Sequence, residues 1–337
     1  MQEIQGPPAD VRILFFGGTQ FVGRHMAEHA VERGHEVTLF TRGKTNPGVV
    51  AGAEELHGDR DRGLDELAGL SFDRVIDVSG YLPRVVRRSA ELLRDATDHY
   101  TFVSTVSVYG DFGSPGITED SPLKTMPDES VEDVTDETYG PLKVGCENVV
   151  HELYGDHCTI VRPGFVVGPL DYTDRFPHWC ARAQRGGAML APDDSHRPIQ
   201  FVDARDLARF IIGLTEGPTH GYFNATGPAD PLTWGRFLEA CIQVAGADTA
   251  LEWVPEAFLH DREVDFTSEL PLYTPEDSPG SATVDCDRAI AAGLAFRALD
   301  ATIEATLAWM RQEGRRPSVG MSPEREVEIL DAWRRSY

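Results

Sequence analysis

Residues 11–41 read VRILFFGGTQFVGRHMAEHAVERGHEVTLFT, and the architecture can be inferred outward from this stretch. The apolar run 11–16 predicts a buried strand, and a glycine-rich turn follows it directly. A helical stretch continues to Arg33, and Glu36–Phe40 predicts a second strand. Strand, glycine turn, helix and strand within about 30 residues form the βαβ unit of a dinucleotide-binding fold.

Three further apolar runs predict strands at Arg74–Val78, Tyr100–Ser104 and Cys158–Arg162, with helical stretches between them. Alternating strands and helices indicate α/β architecture: a Rossmann-type doubly wound parallel sheet. The alternation loosens from Leu170 onward, which predicts a smaller mixed α/β C-terminal domain that binds substrate.

The predicted domain boundaries follow from this change of pattern. We expect a flexible tail at 1–9, a dinucleotide-binding domain from 10–170 and 197–226, and a substrate-binding domain from 171–196 and 227–337. A final helix is expected after Ser322, because Ser322 is a good N-cap and Pro323 suits the first helical position.

The composition excludes several partners. Lys+Arg 31 against Asp+Glu 55 gives a formal net charge of -24, which disfavours nucleic acid and anionic membranes as partners. The five cysteines form no CxxC motif and have no histidine at metal-ligand spacing, so reduced thiols and no metal are expected. No signal peptide or membrane-spanning run is recognisable, which predicts a cytoplasmic protein that acts on a small molecule.

The glycine turn predicts a phosphate site. Gly17 permits the tight turn, Gly23 lets the helix pack on the sheet, and the N–H groups of Phe21 and Val22 would face a pyrophosphate. Gln20 occupies the middle position, where glycine is usual. The alternative is a glycine-rich connection without a ligand.

The end of the second strand bears on the choice of cofactor. A carboxylate there would bind the ribose hydroxyls of NAD, but the residue is Thr41, followed by Arg42 and Lys44. Two cations and no carboxylate at this position favour NADP over NAD, although NAD remains an alternative cofactor. The alternative for the two cations is a basic surface loop that binds no ligand.

Tyr139 and Lys143 form the second constellation. Residues i and i+4 share one helix face, so the phenol and the ammonium can reach one site. Pro141 is expected in a first helical turn, which would place Tyr139 at the helix N-terminus, where the dipole and Lys143 would lower the phenol pKa. Chance would give about 0.08 such Tyr/Lys pairs (9 × 3/337), so the pairing carries weight.

A strand that ends in clustered hydroxyls precedes this helix. Residues 102–110 read FVSTVSVYG, and their hydroxyl groups could hold a substrate oxygen against Tyr139. Serine and threonine at a strand end are otherwise usual turn residues.

These pieces, in this order, resemble the extended short-chain dehydrogenase/reductase family, also described as NAD-dependent epimerases and dehydratases. The resemblance runs from Val11 to about Trp309 and includes Gly58-Asp59, the stretch RPGFVVGP at 162–169 and the stretch QFVDARDLA at 200–208. It implies Thr105 as the catalytic hydroxyl, Tyr139 as general acid/base and Lys143 as the residue that binds ribose and lowers the tyrosine pKa.

The resemblance also completes the predicted binding sites. The cofactor site comprises Gly17, Thr19, Gln20, Phe21, Val22, Gly23, Thr41, Arg42, Lys44, Asp59, Arg60, Val78, Ser79, Gly80, Ser104, Tyr139, Lys143, Pro163, Gly164, Phe165 and Val166. The substrate site comprises Tyr81, Thr105, Ser107 and Arg197.

Two departures limit what the resemblance implies. Val106-Ser107 stand where sugar 4,6-dehydratases carry Asp-Glu, so that dehydration is not expected. The turn Gly-Gly-Thr-x-Phe-x-Gly resembles a divergent branch with isoflavone-reductase-like enzymes and chloroplast RNA-binding relatives.

The expected function is an NAD(P)-dependent oxidoreductase or epimerase acting on a secondary alcohol or ketone of a sugar-like, nucleotide-linked substrate. The alternative is a catalytically inactive Rossmann-like binding or regulatory protein. The family pairs two helices across a dimer, so a homodimer is expected through 139–154 and 84–94, with an apolar stripe of Val144, Val149, Val150 and Leu153.

Overall fold

The computed structural model describes residues 11–126, 128 and 130–336, so the predicted tail at 1–9 lies outside the described residues. The strands within that part are β1 Arg12–Phe16, β2 Glu36–Thr41, β3 Glu54–His57, β4 Arg74–Asp77, β5 His99–Val103, β6 Cys158–Pro163, β7 Phe165–Val167, β8 Gly187–Pro192, β9 Pro198–Ile199, β10 Phe201–Asp203, β11 Gly221–Ala225, β12 Leu232–Thr233 and β13 Thr249–Val254. The helices are α1 Phe21–Glu32, α2 Pro83–Leu92, α3 Asp136–Tyr154, α4 Arg175–Gln184, α5 Ala204–Glu216, α6 Trp234–Ala245, α7 Glu256–Asp261, α8 Asp287–Ala291, α9 Leu299–Gln312 and α10 Pro323–Arg334.

Seven strands form the main sheet in the order β11-β6-β5-β4-β1-β2-β3. Every neighbouring pair in it is parallel. The chain order reverses between β1 and β4, and ligands of such sheets bind outside the carboxyl ends of the strands at that reversal. The predicted Rossmann-type α/β class is confirmed.

The first strand is apolar on both faces because both faces of the sheet are covered. Ile13 and Phe15 belong to one core, where α1 packs on α5. Leu14 and Phe16 belong to a second core, on the side where α2 packs on α3. The unbroken apolar run therefore reflects a strand buried between two helical layers.

A third core lies in the C-terminal part of the chain. Trp179, Trp234 and Phe237 are fully buried in it, and their aromatic rings pack edge to face. Ala289 and Leu294, which follow in sequence, instead pack in the core beside the main sheet. The division into two domains at the expected boundaries stays a proposal.

The strands predicted at the start of the chain are observed, but other elements differ from expectation. The short strand β3 (Glu54–His57) is not among the predicted strands, because Leu56 is its single apolar residue. Helix α3 begins at Asp136, capped by Thr135, so Tyr139 is its fourth residue and Pro141 lies inside the helix. The expectation that Tyr139 stands at the helix N-terminus is therefore wrong, since the Thr135 capping box starts the helix earlier. The last helix begins after Ser322 as predicted.

No helix in the described part of the chain is both long enough and apolar enough to cross a membrane.

Candidate active site

The glycine turn connects β1 to α1 at the reversal of strand order. Gly17 has a φ of 101°, which glycine alone adopts readily, and its position allows the predicted tight turn. A Cβ on Gly23 would lie 3.0 Å from the Gly18 nitrogen, so a small residue is needed for the helix to start here. The N-terminus of α1 thus faces the crevice, with Gln20 as its N-cap and Phe21 as its first residue.

A cleft of about 430 Å³ opens beside this helix end. Its lining residues are Gln20, Phe21, Arg24, Thr45, Asn46, Leu170, Tyr172, Trp309, Glu313 and Arg315. The side chain of Asn46 donates a hydrogen bond to the carbonyl of Thr19 at 3.1 Å, and so ties the loop after β2 to the glycine turn. Sequence analysis did not identify Asn46, because an asparagine in a loop carries no distinguishing signal.

The predicted 2′-phosphate residues lie at the end of β2. Thr41 accepts a hydrogen bond from the Gly43 N–H at 3.1 Å, while Arg42 and Lys44 are exposed. No ion pair in the described part of the chain joins Arg42 to Asp59 or Asp61, and Asp61 pairs with Arg84. Both cations therefore remain accessible to an anionic ligand.

Arg60 is committed to the protein. Its guanidinium makes a bidentate contact with Asp77, at 2.8 and 2.7 Å, and donates to Ser89. The Asp77 side chain has no exposed surface, and the guanidinium also stacks over Phe16 at 4.2 Å. Arg60 therefore braces the end of β4 against α2 through Asp77 and Ser89, and its contact with a cofactor stays a prediction.

The residues after β4 line the opposite wall of the crevice. The Ser79 hydroxyl donates to the carbonyl of Phe16 at 3.0 Å, which joins the ends of β4 and β1. Val78 lies against Gly17 and Gly23. The Gly80 carbonyl accepts a hydrogen bond from Lys143 at 2.8 Å. The predicted cofactor loop 78–80 thus touches both the glycine turn and the Tyr/Lys helix.

The hydroxyl groups predicted to be catalytic meet at the start of α3. The Thr105 hydroxyl lies near the Tyr139 phenol and acts to lower the pKa of that phenol. The Thr105 hydroxyl donates to Ser107 at 3.2 Å and accepts the Ser107 N–H. This approach needs Gly140, since a Cβ there would lie 2.2 Å from the Ser107 carbonyl oxygen.

Lys143 lies one turn further along α3 and is buried. Its ammonium donates to the carbonyls of Gly80 and Val103, at 2.8 and 2.7 Å, and lies 4.0 Å from the centre of the Phe102 ring. An ammonium has three hydrogens, so one remains for a ligand. Burial lowers the pKa of Lys143 to about 8.

The phenol pKa departs from the sequence-based expectation. Burial raises the pKa of Tyr139, while the interaction with Thr105 and the charge of Arg175 act in the opposite direction. In the protein alone the cost of desolvating the phenolate outweighs the helix end and the nearby cations. The expected lowering is therefore not a property of the protein by itself.

Ser104 faces away from the crevice. Its hydroxyl donates to Glu147 at 2.5 Å, and Glu147 also accepts two hydrogen bonds from Arg162, at 3.0 and 2.6 Å. All three residues are buried. Ser104 thus links the strand that carries Thr105 to the helix that carries Tyr139, and its predicted contact with a cofactor has no support in this geometry.

The segment from the end of β6 to the start of α4 carries a residue that the sequence analysis did not identify, Arg175, whose charge acts to lower the pKa of Tyr139. Pro163 ends β6, Gly164 packs against Thr226, and Phe165–Val167 form β7. Arg175 stacks on the Phe165 ring at 4.9 Å. No sequence motif singled out Arg175, because its distance along the chain from Tyr139 has no periodic meaning.

The predicted substrate residues separate into two groups. The Tyr81 ring lies 6.3 Å from the Tyr139 ring, so Tyr81 joins Thr105 and Ser107 at the site. Arg197 instead pairs with Asp193 and Glu256, at 2.9 and 3.2 Å. Those two carboxylates neutralise it, and no contact within the described residues links it to Tyr139.

Comparisons with known proteins agree with this geometry. Residues 83–224, less than half of the chain, match the model described as the NAD dependent epimerase/dehydratase family. A chloroplast stem-loop binding protein of 41 kDa from Arabidopsis thaliana is 26% identical over 71% of this chain and 64% of its own length. The chain thus spans less than two thirds of that relative.

Solved structures share the fold. WbmG of Bordetella bronchiseptica, solved with NAD and UDP, has a TM-score of 0.67 and 19% identity over 91% of this chain and 96% of its own. UDP-glucuronic acid 4-epimerase from Bacillus cereus, solved with NAD, has a TM-score of 0.64 and 16% identity over 89% and 96%. These structures share the fold of the chain, and the resemblance predicted from the sequence is confirmed by the match of residues 83–224 to the NAD dependent epimerase/dehydratase family model.

Proposed function

We propose that this protein is an NAD(P)-dependent epimerase or oxidoreductase that acts on a secondary alcohol or ketone of a sugar-like, nucleotide-linked substrate. The observation that carries the proposal is the meeting of Thr105, Tyr139 and Lys143 at the crevice where β1 and β4 end. The nucleotide-linked substrate is inferred from the UDP and UDP-sugar epimerase structures that share the fold.

The crevice fits a dinucleotide. The α1 N-terminus and the turn 17–23 would hold its pyrophosphate, the end of β2 its adenosine ribose, and Lys143 its second ribose. When bound, the nicotinamide supplies the hydride acceptor and donor. The unused Lys143 hydrogen and the accessible Arg42 and Lys44 are the features of this structure that suit such a ligand.

The protein's own groups manage the proton. Thr105 holds the substrate oxygen beside Tyr139, whose phenolate takes the carbinol proton during oxidation and whose phenol returns it during reduction. Because burial raises the pKa of Tyr139, the phenol is protonated in the protein alone and ready to donate. Lys143 stands one helical turn away and stabilises the phenolate when it forms.

Removal of one hydroxyl tests the proposal. Ligand released by denaturing the purified protein is identified by mass spectrometry, and UDP-glucose and UDP-glucuronate are then incubated with the protein, with and without added NAD or NADP. We expect Tyr139→Phe to lower kcat by about 10²–10⁴-fold with cofactor binding nearly unchanged. Tyr154→Phe, on the same helix but bonded to the Ala90 carbonyl, is the matched control and keeps its activity. Full activity in Tyr139→Phe refutes the role.

The cofactor experiment also separates the two reactions. An epimerase returns the hydride to the same substrate and turns over without added cofactor, whereas a net reductase consumes added cofactor in proportion to product. NMR analysis of the product distinguishes a C4 epimer from a reduced or oxidised sugar.

We propose that the protein prefers NADP, through Arg42. A charge-assisted contact with the 2′-phosphate is worth about 1.5–3 kcal/mol, or roughly ten- to hundredfold in affinity. Titration with both cofactors should show Arg42→Ala losing affinity for NADP alone, while Arg94→Ala, two residues beyond the end of α2, changes the affinity for neither cofactor. Equal binding of NAD and NADP by the wild type contradicts this preference. The titration with NAD is needed because the similar structures were solved with NAD.

A second candidate function is the binding of an RNA stem-loop, which the name of the chloroplast relative suggests. The formal net charge of -24 argues against it, because nucleic-acid affinity comes mainly from clustered Lys and Arg. Fluorescence anisotropy with an RNA hairpin at low salt should show no binding. Saturable, salt-dependent binding would favour this candidate.

The homodimer and the cytoplasmic location stay predictions. Val149 and Val150 of the expected apolar stripe are buried within their own chain, and Leu153 packs against the same core. Leu92 on α2 is 40% exposed and would be the apolar centre of the expected face. Sedimentation at micromolar concentration tests the dimer, and a monomer there rules it out.

A further inference from the structure

An exposed arginine at the start of α2, Arg84, joins two segments that are distant in the sequence. Its Nε and Nη2 donate to the two carboxylate oxygens of Glu132, at 2.7 and 3.0 Å. Its Nη1 donates to a carboxylate oxygen of Asp61 at 2.5 Å. One guanidinium therefore connects two carboxylates, and its contact with Glu132 is bidentate. We call these three residues the Arg84 bridge.

The bridged segments lie at the edge of the sheet where a cofactor is expected. Asp61 belongs to the loop that follows β3, and Glu132 belongs to the segment that leads from β5 into α3. In the sheet, β4 lies between these two strands, and the loop after β4 leads into the helix that carries Arg84. Because the strands are parallel, all three carboxyl ends meet at one edge. The bridge thus spans the loop 78–80.

The Asp61 end of the bridge is connected to a predicted cofactor residue. The carboxylate of Asp59 accepts a hydrogen bond from the Asp61 N–H at 3.0 Å. Arg88 lies one turn after Arg84 on α2, and it donates to the Asp61 carbonyl at 2.6 Å. Two arginines on one face of α2 therefore hold the loop 58–63, and through Asp61 they position Asp59.

The Glu132 end of the bridge is connected to the helix that carries Tyr139. The carbonyl of Asp133, the next residue, accepts a hydrogen bond from the hydroxyl of Thr138. That hydroxyl also accepts the N–H of Thr135, the N-cap of α3, at 2.8 Å. Glu132 is therefore fixed to the first turn of α3.

Solvent exposure limits how strongly the bridge can act. The side chains of Arg84, Asp61 and Glu132 are 53%, 44% and 46% exposed. Their hydrogen bonds with Arg84 lower the pKa of both carboxyl groups, so both are ionised at neutral pH. A single exposed ion pair contributes little and is screened by salt, whereas several charges in a network contribute measurably.

We propose that Arg84 is a positioning residue that closes the adenosine end of the cofactor crevice and slows the release of a bound nicotinamide dinucleotide. Without the bridge, the loop 58–63 is no longer tied to the segment before α3, and a dinucleotide can leave faster. The proposal rests on the proposed function for the identity of the ligand. It favours the epimerase, because a reaction that returns the hydride to the same substrate needs no exchange of cofactor.

The dissociation rate of the cofactor tests the proposal. The protein is loaded with NADH or NADPH, excess ADP-ribose is added, and the change in nicotinamide fluorescence is followed by stopped flow at about 0.1 M and about 1 M KCl. At the lower salt concentration we expect Arg84→Gln to release the cofactor about three- to tenfold faster than the wild type, because two exposed ion pairs are lost. At the higher salt concentration the two rates should converge, because screening weakens the bridge in the wild type.

A neighbouring arginine supplies the matched control. Arg87, also on α2, makes a bidentate contact with Glu152 on α3, at 3.0 and 2.6 Å, and both side chains are exposed. Arg87→Gln removes the same chemical group at a position that has no hydrogen bond to the loop 58–63 in the described part of the chain, so release should stay as in the wild type. Both arginines lie on the helix expected at the dimer face, so an effect through association would appear in both variants. Arg84→Lys, which keeps the charge but loses the bidentate contact, should give an intermediate rate.

Three outcomes overturn the proposal: equal release by Arg84→Gln and the wild type, equal acceleration by Arg87→Gln, or an acceleration by Arg84→Gln that persists at the higher salt concentration. A failure of the proposed function is separately visible. A wild type that binds neither NADH nor NADPH refutes both proposals, whereas full turnover by Tyr139→Phe refutes the role of Tyr139 alone and leaves the release rates as they are.

Discussion

Substitution of Glu147 tests how much of the site depends on a buried ion pair. Glu147 and Arg162 are each 2% exposed at the side chain, and the carboxylate accepts three hydrogen bonds, two from Arg162 and one from Ser104. Glu147→Gln keeps the shape but removes the charge, which leaves a buried guanidinium without its counter-ion. Breaking such a pair on one side costs about 3–5 kcal/mol, against a typical total stability of about 5–15 kcal/mol.

The same helix supplies a matched control. Glu152 accepts a bidentate contact from Arg87, at 3.0 and 2.6 Å, but these side chains are 61% and 37% exposed. Exposed pairs contribute about 0–1 kcal/mol, because water already solvates both ions. Glu147→Gln and Glu152→Gln therefore make the same chemical change on the same helix, and the two ion pairs differ mainly in burial.

Thermal unfolding of the two variants provides the measurement. We expect Glu147→Gln to lower the melting temperature by roughly 5–10 °C and Glu152→Gln by less than about 2 °C. The double variant Glu147→Met/Arg162→Met should lose less than Glu147→Gln alone, because it leaves no buried charge unpaired. Equal effects of the two single glutamine variants would refute the reasoning from burial.

Two further predictions concern a helix–loop contact and pH. Gly140→Ala should destabilise the protein by about 1–3 kcal/mol in urea unfolding, because the new Cβ would lie 2.2 Å from the Ser107 carbonyl oxygen. The control Gly213→Ala, whose Cβ meets no atom within 4 Å, should stabilise the protein by about 0.5–1 kcal/mol. A Gly140→Ala variant as stable as the wild type would contradict the contact with Ser107. Burial and the stacked His220 lower the pKa of His99 to about 3, below its ordinary value of 6.5, so the unfolded chain takes up the proton first and stability falls as the pH drops below 6.5. Between pH 6.5 and 5.5 the wild type should lose about 1 kcal/mol more than His99→Gln in parallel urea titrations, and equal losses would show that His99 does not titrate this way.

The parts of the site that could be predicted are those with local chemistry. The turn 17–23 and the Tyr139/Lys143 pair are recognisable because glycine conformations and helix periodicity bring their atoms together within a few residues. Parallel strand order then places the loop 78–80 beside the turn, as observed in the bond from Ser79 to Phe16. In a doubly wound sheet, the loops that follow neighbouring parallel strands lie side by side at the carboxyl edge of the sheet. Short motifs in those loops are therefore enough to predict this part of the site.

The parts that could not be predicted depend on long-range pairing of charges. Arg60 follows Asp59 and was assigned to the cofactor, but Asp77 captures it across the end of the sheet. Arg197 was assigned to the substrate, but Asp193 and Glu256 neutralise it. Arg175 was overlooked although its charge acts to lower the pKa of Tyr139. In a chain rich in carboxylates, whether an arginine is free depends on which acids surround it in space, and sequence spacing does not contain that information.

The neutralisation of buried cations also explains why Lys143 differs from its neighbours. Arg60 and Arg162 lie under the same side of the sheet, and each has a bidentate carboxylate, Asp77 or Glu147. Among the described residues, Lys143 donates to the carbonyls of Gly80 and Val103 and to no carboxylate, and burial lowers its pKa to about 8. Carbonyl dipoles orient an ammonium without cancelling its charge. The two arginines are thus fixed as parts of the framework, while the charge of Lys143 stays directed at the crevice, where a phenolate on Tyr139 would need it.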